Sequence, residues 1–353
     1  MRRAIAWLAG ISIAALVTAC GTAPTSQPLP AVSRSSTSSV AASTTPAGSM
    51  PGSTTASVSD APAQSTLVLT GISFWNARDG LLTAVRGTTG MIEATKDGGV
   101  SWTTVDRVDQ VQCMGAPTVV GTQDAWVGIR TCSSTGGASL LHTTNGGQDW
   151  TAEVQQSLGS VTFVHAQTGW AIRSSPPSTA QEVVTTSDAG KTWRAVSEPP
   201  CPKGEPPTAV AAASTTKLYV LCAGQPGVGM QSKTLEVNKG STWQVIASST
   251  EHGPPELPQG GYASGIAFPS TANGYAWFAR GGLMVTKDGG QTWKSVVLGS
   301  GPYGSDQPRS LSFVSTAVGY VLAQNELQQK VSLLTTADGG STWSTVTTWK
   351  HAQ

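Results

Sequence analysis

The stretch Thr286-Lys287-Asp288-Gly289-Gly290-Gln291-Thr292-Trp293 decides the fold, because the chain writes it six times. Thr336-Ala337-Asp338-Gly339-Gly340-Ser341-Thr342-Trp343 and Thr95-Lys96-Asp97-Gly98-Gly99-Val100-Ser101-Trp102 are close copies. Looser ones are Thr144-Asn145-Gly146-Gly147-Gln148-Asp149-Trp150, Ser187-Asp188-Ala189-Gly190-Lys191-Thr192-Trp193 and Val237-Asn238-Lys239-Gly240-Ser241-Thr242-Trp243. The six tryptophans fall 48, 43, 50, 50 and 50 residues apart. A period near 50 residues, with several strands in each unit, reads as propeller blades rather than a helical solenoid.

The residue types explain the turn. Asp97, Asn145, Asp188, Asn238, Asp288 and Asp338 carry side chains that accept hydrogen bonds from backbone amides two residues on. The glycines supply positive φ without steric cost. Trp102, Trp150, Trp193, Trp243, Trp293 and Trp343 then place a large apolar face between blades. A second recurring segment precedes each turn: Phe74 to Gly80, Phe163 to Gly169-Trp170, Phe268 to Gly274-Tyr275 and Phe313 to Gly319-Tyr320. Worn versions run from Thr122 to Trp126 and from Ser214 to Tyr219. Each unit thus reads as strand A ending at the Phe, a turn, strand B from the aromatic, a variable loop, strand C, the Asp turn and strand D.

The expectation is an all-β, six-bladed β-propeller over residues 66–350, with four antiparallel strands per blade. Its blades fall at about 67–108, 109–156, 157–199, 206–249, 260–300 and 307–349. Because the first begins at strand A and the last finishes at strand D, no strand is exchanged to latch the ring.

These turns resemble the Asp-box, or BNR, repeat of sialidases. Together with the Phe-to-Gly-aromatic segment, residues 67–349 look most like the propellers of photosystem II assembly and stability factors. The resemblance implies a propeller and says little about ligands. This chain departs from those families in having six repeats where the assembly factors have seven blades, and in carrying Asn at 145 and 238.

The N-terminus reads as an address. Met1-Arg2-Arg3 precedes an apolar run from Ala4 to Val17 and then Thr18-Ala19-Cys20, the order of a secretory signal. Val17-Thr18-Ala19-Cys20 resembles the bacterial lipobox, which implies cleavage after residue 19 and diacylglycerol on Cys20. Residues 20–65 are almost all Ser, Thr, Ala and Pro, too polar to bury a core, and read as a flexible tether. The protein is therefore expected outside the cytoplasm, held to the cell membrane by lipid.

Four cysteines follow Cys20, an even number that suggests disulfides in an exported chain. Three pairings are possible. The blade pattern places Cys113 and Cys201 at the start of a strand A, and Cys132 and Cys222 at the end of the next strand B, favouring 113–132 and 201–222.

Chemistry is harder to find. A net charge of +1 argues against nucleic-acid binding, and the four histidines are isolated, so no metal or other cofactor is expected. Arg86, Arg130, Arg173 and Arg280 all end a strand B, on the rim opposite the Asp turns. Sialidases, which the turns resemble, hold a carboxylate there with three arginines. Acidic residues are scattered over the D–A loops and single out no catalytic pair. The expectation is a non-enzymatic, monomeric binding or scaffold propeller that presents its B–C and D–A loops to a protein, peptide or glycan. The rival is a glycoside hydrolase of sialidase or xyloglucanase type.

Overall fold

The computed structural model describes residues 66–131, 138–154, 156–174, 180–196, 200–249, 257–299 and 306–350. The signal and tether expected over 1–65 lie outside these residues. Six antiparallel sheets follow one another along the chain. The first comprises β1 (Leu67–Phe74), β2 (Gly80–Arg86), β3 (Thr89–Thr95) and β4 (Thr103–Val108). In the second, strand A is split into β5 (Val111–Met114) and β6 (Thr118–Val120), both paired with β7 (Asp124–Thr131), and β8 (Ala138–Thr143) and β9 (Thr151–Val154) complete it. Gly115-Ala116-Pro117 causes the split, since Pro cannot donate to the ladder.

The third blade holds β10 (Leu158–Phe163), β11 (Gly169–Ser174), β12 (Gln181–Thr186) and β13 (Arg194–Ala195). The fourth holds β14 (Pro207–Ser214), β15 (Lys217–Ala223), β16 (Lys233–Lys239) and β17 (Thr242–Ser248). The fifth is β18 (Tyr262–Ala267), β19 (Gly274–Ala279), β20 (Gly282–Thr286) and β21 (Lys294–Val296). The sixth is β22 (Gln307–Phe313), β23 (Gly319–Asn325), β24 (Lys330–Thr336) and β25 (Ser344–Lys350). The all-β, six-bladed expectation is met, with no helix among the described residues.

The core lies between blades, not within them, which is why strands A to C are apolar on both faces. One device recurs at four seams: the aromatic opening strand B of one blade stacks on the Phe closing strand A of the next. Trp126–Phe163, Tyr219–Phe268, Tyr275–Phe313 and Tyr320–Phe74 lie 3.7, 3.5, 4.0 and 3.8 Å apart between ring centroids. The glycine of the recurring segment follows from this packing. A Cβ on Gly80 would sit 2.5 Å from the Phe74 ring, and one on Gly274 2.2 Å from Phe268.

The ring closes without a shared strand. β1 pairs with β2, and β22 to β25 form a sheet of their own. Side chains make the join: Ser310 Oγ and Ser312 Oγ accept the backbone N–H groups of Ile72 and Phe74 at 3.1 and 2.9 Å. Around them Leu69, Ile72 and Leu82 of the first blade pack with Leu322, Val331 and Leu333 of the sixth.

Five of the six repeated turns share one hydrogen-bond plan, and it reaches further than the sequence suggested. The carboxylate accepts from the amide four residues on, not two, as in Ser101 N–H to Asp97 Oδ1 at 2.9 Å. A threonine two residues ahead of the Asp or Asn anchors the turn: Thr95, Thr143, Thr186, Thr286 and Thr336 each donate to its Oδ1. Each also accepts the amide of the second turn glycine.

The sixth turn, at Asn238, corrects the reading of six equal boxes. Glu236 replaces the anchoring threonine, and Lys239 stands where the other turns hold Gly or Ala at positive φ. Without the hydroxyl, and with a residue that resists the left-handed region, the box collapses. Asn238 pairs with Trp243 and Lys239 with Thr242, leaving a two-residue hairpin led by Gly240 at φ 69°. The Asn238 amide instead bonds the Leu218 N–H at 2.6 Å and the Thr216 carbonyl at 3.1 Å.

Cys201 and Cys222 form a disulfide, their Cα atoms 5.6 Å apart. Cys201 precedes β14 by six residues rather than opening it, and takes φ 89° in the loop. Cys113, in β5, is also disulfide-bonded, and its expected partner Cys132 lies outside the described residues.

Candidate functional site

Strand direction sorts the connections onto two rims. The A–B turns and the repeated C–D turns share one, tied by backbone bonds such as Gly98 N–H to Arg78 O at 2.9 Å and Gly339 N–H to Ala317 O at 2.8 Å. The B–C and D–A loops share the other.

On the turn rim the carboxylates are consumed by structure. Asp97, Asp188, Asp288 and Asp338 have their pKa values pulled from 3.8 down to about 2, first by the hydroxyl of the Ser or Thr four residues on and then by its amide. A carboxylate ionised down to that pH and filled with donors is a brace, not a proton donor near neutrality. In the second blade Asn145 donates to Asp149 at 2.8 Å, so the acid and amide exchange places.

On the loop rim the four arginines have different fates. Arg86 ends β2 exposed, Arg130 is half-buried in β7, and Arg280, exposed at φ 62°, lies in the β19–β20 turn. Arg173 pairs with Glu182 on the neighbouring strand at 2.8 Å and reaches the Trp193 carbonyl at 3.4 Å, at the outer edge of its own blade. Its guanidinium is thereby committed outward and is not available to an axial carboxylate clamp.

The sequence missed Arg309, on the innermost strand of the sixth blade. It sits at a bulge between Pro308 and Ser310, and its guanidinium holds the Gln324 side-chain carbonyl through Nε at 2.6 Å and through Nη2. Burial pulls its pKa down. Its sequence signal is a lone cation in strand-A phase, a different strand from the one that the other four arginines end.

The best-defined feature of the loop rim is a platform in the fourth and fifth blades. Lys233 is fully buried at 0% exposure. Its Nζ donates to the carbonyls of Gln231, Pro258 and Gln259 at 2.9, 2.8 and 3.1 Å, and it lies 5.4 Å from the centroid of the Phe278 ring. Desolvation lowers its pKa to about 8, which still leaves an ammonium at neutral pH. Gln231 adds bonds to Gly224 O at 2.8 Å and from Ala263 N–H at 2.7 Å. The loop between β15 and β16 is thus pinned to the segment before β18, and it holds Val228 fully exposed (100%) and Met230 half-exposed (53%).

Two buried polar clusters lie elsewhere. The His142 imidazole bridges Asp124 and Glu153 at 3.3 and 3.2 Å and stacks on Trp126. Glu205 accepts from Thr234 at 2.7 Å near Glu236, whose pKa is raised by burial. Among the described residues no group of three His, Cys, Asp or Glu side chains is arranged to hold a metal ion.

No protein-family description and no characterised protein sequence matches the chain. Solved structures do resemble it. An α-L-arabinofuranosidase of Fusarium graminearum in complex with arabinobiose is 14% identical, with a TM-score of 0.52, over 75% of this chain and 90% of that one. YCF48 from Cyanidioschyzon merolae is 18% identical at TM-score 0.47, over 80% and 86% of the two chains. A YCF48 bound to a D1 peptide is 17% identical at TM-score 0.46, over 80% and 83%. At 14% identity the likeness to the arabinofuranosidase is one of fold alone.

Proposed function

We propose that the protein is a non-enzymatic binding or scaffold propeller, displayed outside the cytoplasm and held to the cell membrane through a lipid on Cys20 and the segment 20–65. Its partner, a protein, peptide or glycan, meets the rim of B–C and D–A loops. The observation that carries this reading is the Lys233 platform. A chain that buries a lysine and threads several carbonyls onto it in order to hold Val228 in water has fixed an apolar tip in place. Rigid loops with exposed apolar residues are where partners find a preorganised surface.

The test is affinity capture from membranes with the purified domain, beside a Val228→Asp/Met230→Asp double variant. A specific partner held by the parent domain and lost from the variant is the expected result. Turnover of a sialoside or β-glucan panel by the domain would overturn it in favour of a glycoside hydrolase.

A further inference from the structure

The collapsed turn of the fourth blade leaves an opening at the seam with the third. At the five regular turns the second glycine is covered by an apolar side chain of the preceding blade. A Cβ there would meet Leu333, Leu81, Leu140, Ile246 or Tyr275 within 2.3 to 3.2 Å. A Cβ on the corresponding Gly240 would meet nothing within 4 Å among the described residues. In its place lies a notch of about 130 Å³, lined by Trp170 and Val196 of the third blade and by Leu218, Asn238, Ser241 and Trp243 of the fourth.

The partners of Trp170 are missing in the same way. At the other five seams an aromatic donor crosses to the next blade: Trp75 to Asp124 O, Trp126 to Ala189 O, Tyr219 to Thr271 O, Tyr275 to Gly339 O and Tyr320 to Ala77 O. Trp170, which follows Gly169 as Tyr275 follows Gly274, makes no such bond among the described residues, either to the C–D turn, as Trp126 and Tyr275 do, or to the A–B segment, as Trp75, Tyr219 and Tyr320 do. The notch therefore combines two indoles, a free N–H donor, an exposed hydroxyl on Ser241, and an Asn238 amide with a second hydrogen to give.

We propose that this notch binds a single saccharide ring, with the indoles of Trp170 and Trp243 against its C–H face and Asn238, Ser241 and the Trp170 N–H meeting its hydroxyls. An aliphatic side chain would fill the space but leave those polar groups unpaired, which costs affinity. A flat aromatic group would satisfy one donor at most. The volume is well below that of a drug-sized pocket, so one ring enters and any further residues of a glycan extend into solvent. So few contacts imply a Kd on the order of millimolar. The site lies on the turn rim, away from the Val228 platform, so it adds to the proposed function without depending on it.

Indole ¹H–¹⁵N resonances of the purified domain, titrated with hexoses, N-acetylhexosamines and short oligosaccharides, test the proposal. The expected result is a saturable shift confined to the Trp170 and Trp243 signals, assigned by Trp→Phe variants. Glu236→Thr/Lys239→Gly restores the threonine and glycine of the other turns and should close the notch, weakening binding at least ~10-fold in a still-folded domain. If that variant does not fold, Trp170→Phe keeps the apolar ring but removes the donor, and should weaken binding several-fold. No shift at saccharide concentrations of about 50 mM, equal affinity in the closed variant, or a response only to a proline-rich peptide would each overturn the proposal. Val228→Asp leaves this binding unchanged, which separates failure here from failure of the loop-rim reading.

Discussion

Tyr320 of the last blade donates its phenolic hydrogen to the carbonyl of Ala77 in the first, at 2.8 Å, while its ring lies 3.8 Å from that of Phe74. These contacts join segments 243 residues apart and do the work that a shared strand would otherwise do. Phe74→Ala should therefore cost about 3–5 kcal/mol in urea unfolding. Phe268→Ala, at an internal seam with the same stacking, should cost the same within about 1 kcal/mol. Tyr320→Phe, which removes only the hydrogen bond, should cost about 1 kcal/mol. A closing seam much weaker than the internal one would show that something else latches the ring.

Acid should loosen the turn rim. The four box carboxylates have folded-state pKa values near 2 against 3.8 for the free group. A depressed carboxylate pKa contributes stability that is complete above 3.8 and is lost as pH falls toward about 2. Melting temperature should decline across that window. Replacing all four with Asn, the residue the second blade already uses at 145, should flatten the decline while preserving the fold.

Lys233→Met keeps the apolar stem but leaves the carbonyls of Gln231, Pro258 and Gln259 without their donor, a loss of about 1–3 kcal/mol. Hydrogen exchange should quicken at the Gln231 amide, which bonds to Gln259 O, before it does in the other blades. Unchanged protection there would mean that the platform does not depend on the lysine.

The Cys201–Cys222 bond closes a loop of 21 residues, so Cys201→Ser/Cys222→Ser should destabilise the domain by about 3 kcal/mol. Non-reducing peptide mapping of the oxidised protein should recover a second cross-linked pair, Cys113 with Cys132. Finding Cys113 linked to Cys20 instead would contradict both that pairing and lipid attachment.

Cys20→Ser should release the protein from the membrane fraction, and intact mass should show a diacylglyceryl adduct on the parent chain alone. Retention of the Ser variant would exclude lipid as the anchor.

The fold was legible because the propeller is periodic: turn, Gly and aromatic recur in fixed phase, and each has a local physical reason. The failures were equally local. Asn238, Gly240, Thr242 and Trp243 satisfy the visible pattern, yet the turn is decided by Glu236 and Lys239, where a hydroxyl and a small residue are absent. The anchoring threonines of the second and third blades, Thr143 and Thr186, lie one residue ahead of the stretches that repeat visibly in sequence. On the loop rim only the arginines near the ends of strand B recur, and the loops share no motif. Arg173 could be assigned to that rim from its phase, but its capture by Glu182 depends on a cross-strand register that sequence spacing does not reveal. Nothing in the spacing marks Lys233, because most of its cradle is built from backbone carbonyls 25 to 27 residues away.

Because no sheet crosses from one blade to another, every blade is an unbroken length of chain, and the first and last meet as neighbours. Leu67 starts the innermost strand and Lys350 finishes the outermost, both at the same rim. The order in which the blades are threaded is then incidental to the architecture. A gene rearranged to begin at any of the six, or lengthened by a whole blade, would sever no hydrogen-bonded ladder, leaving natural variation free to act on the ring one block at a time.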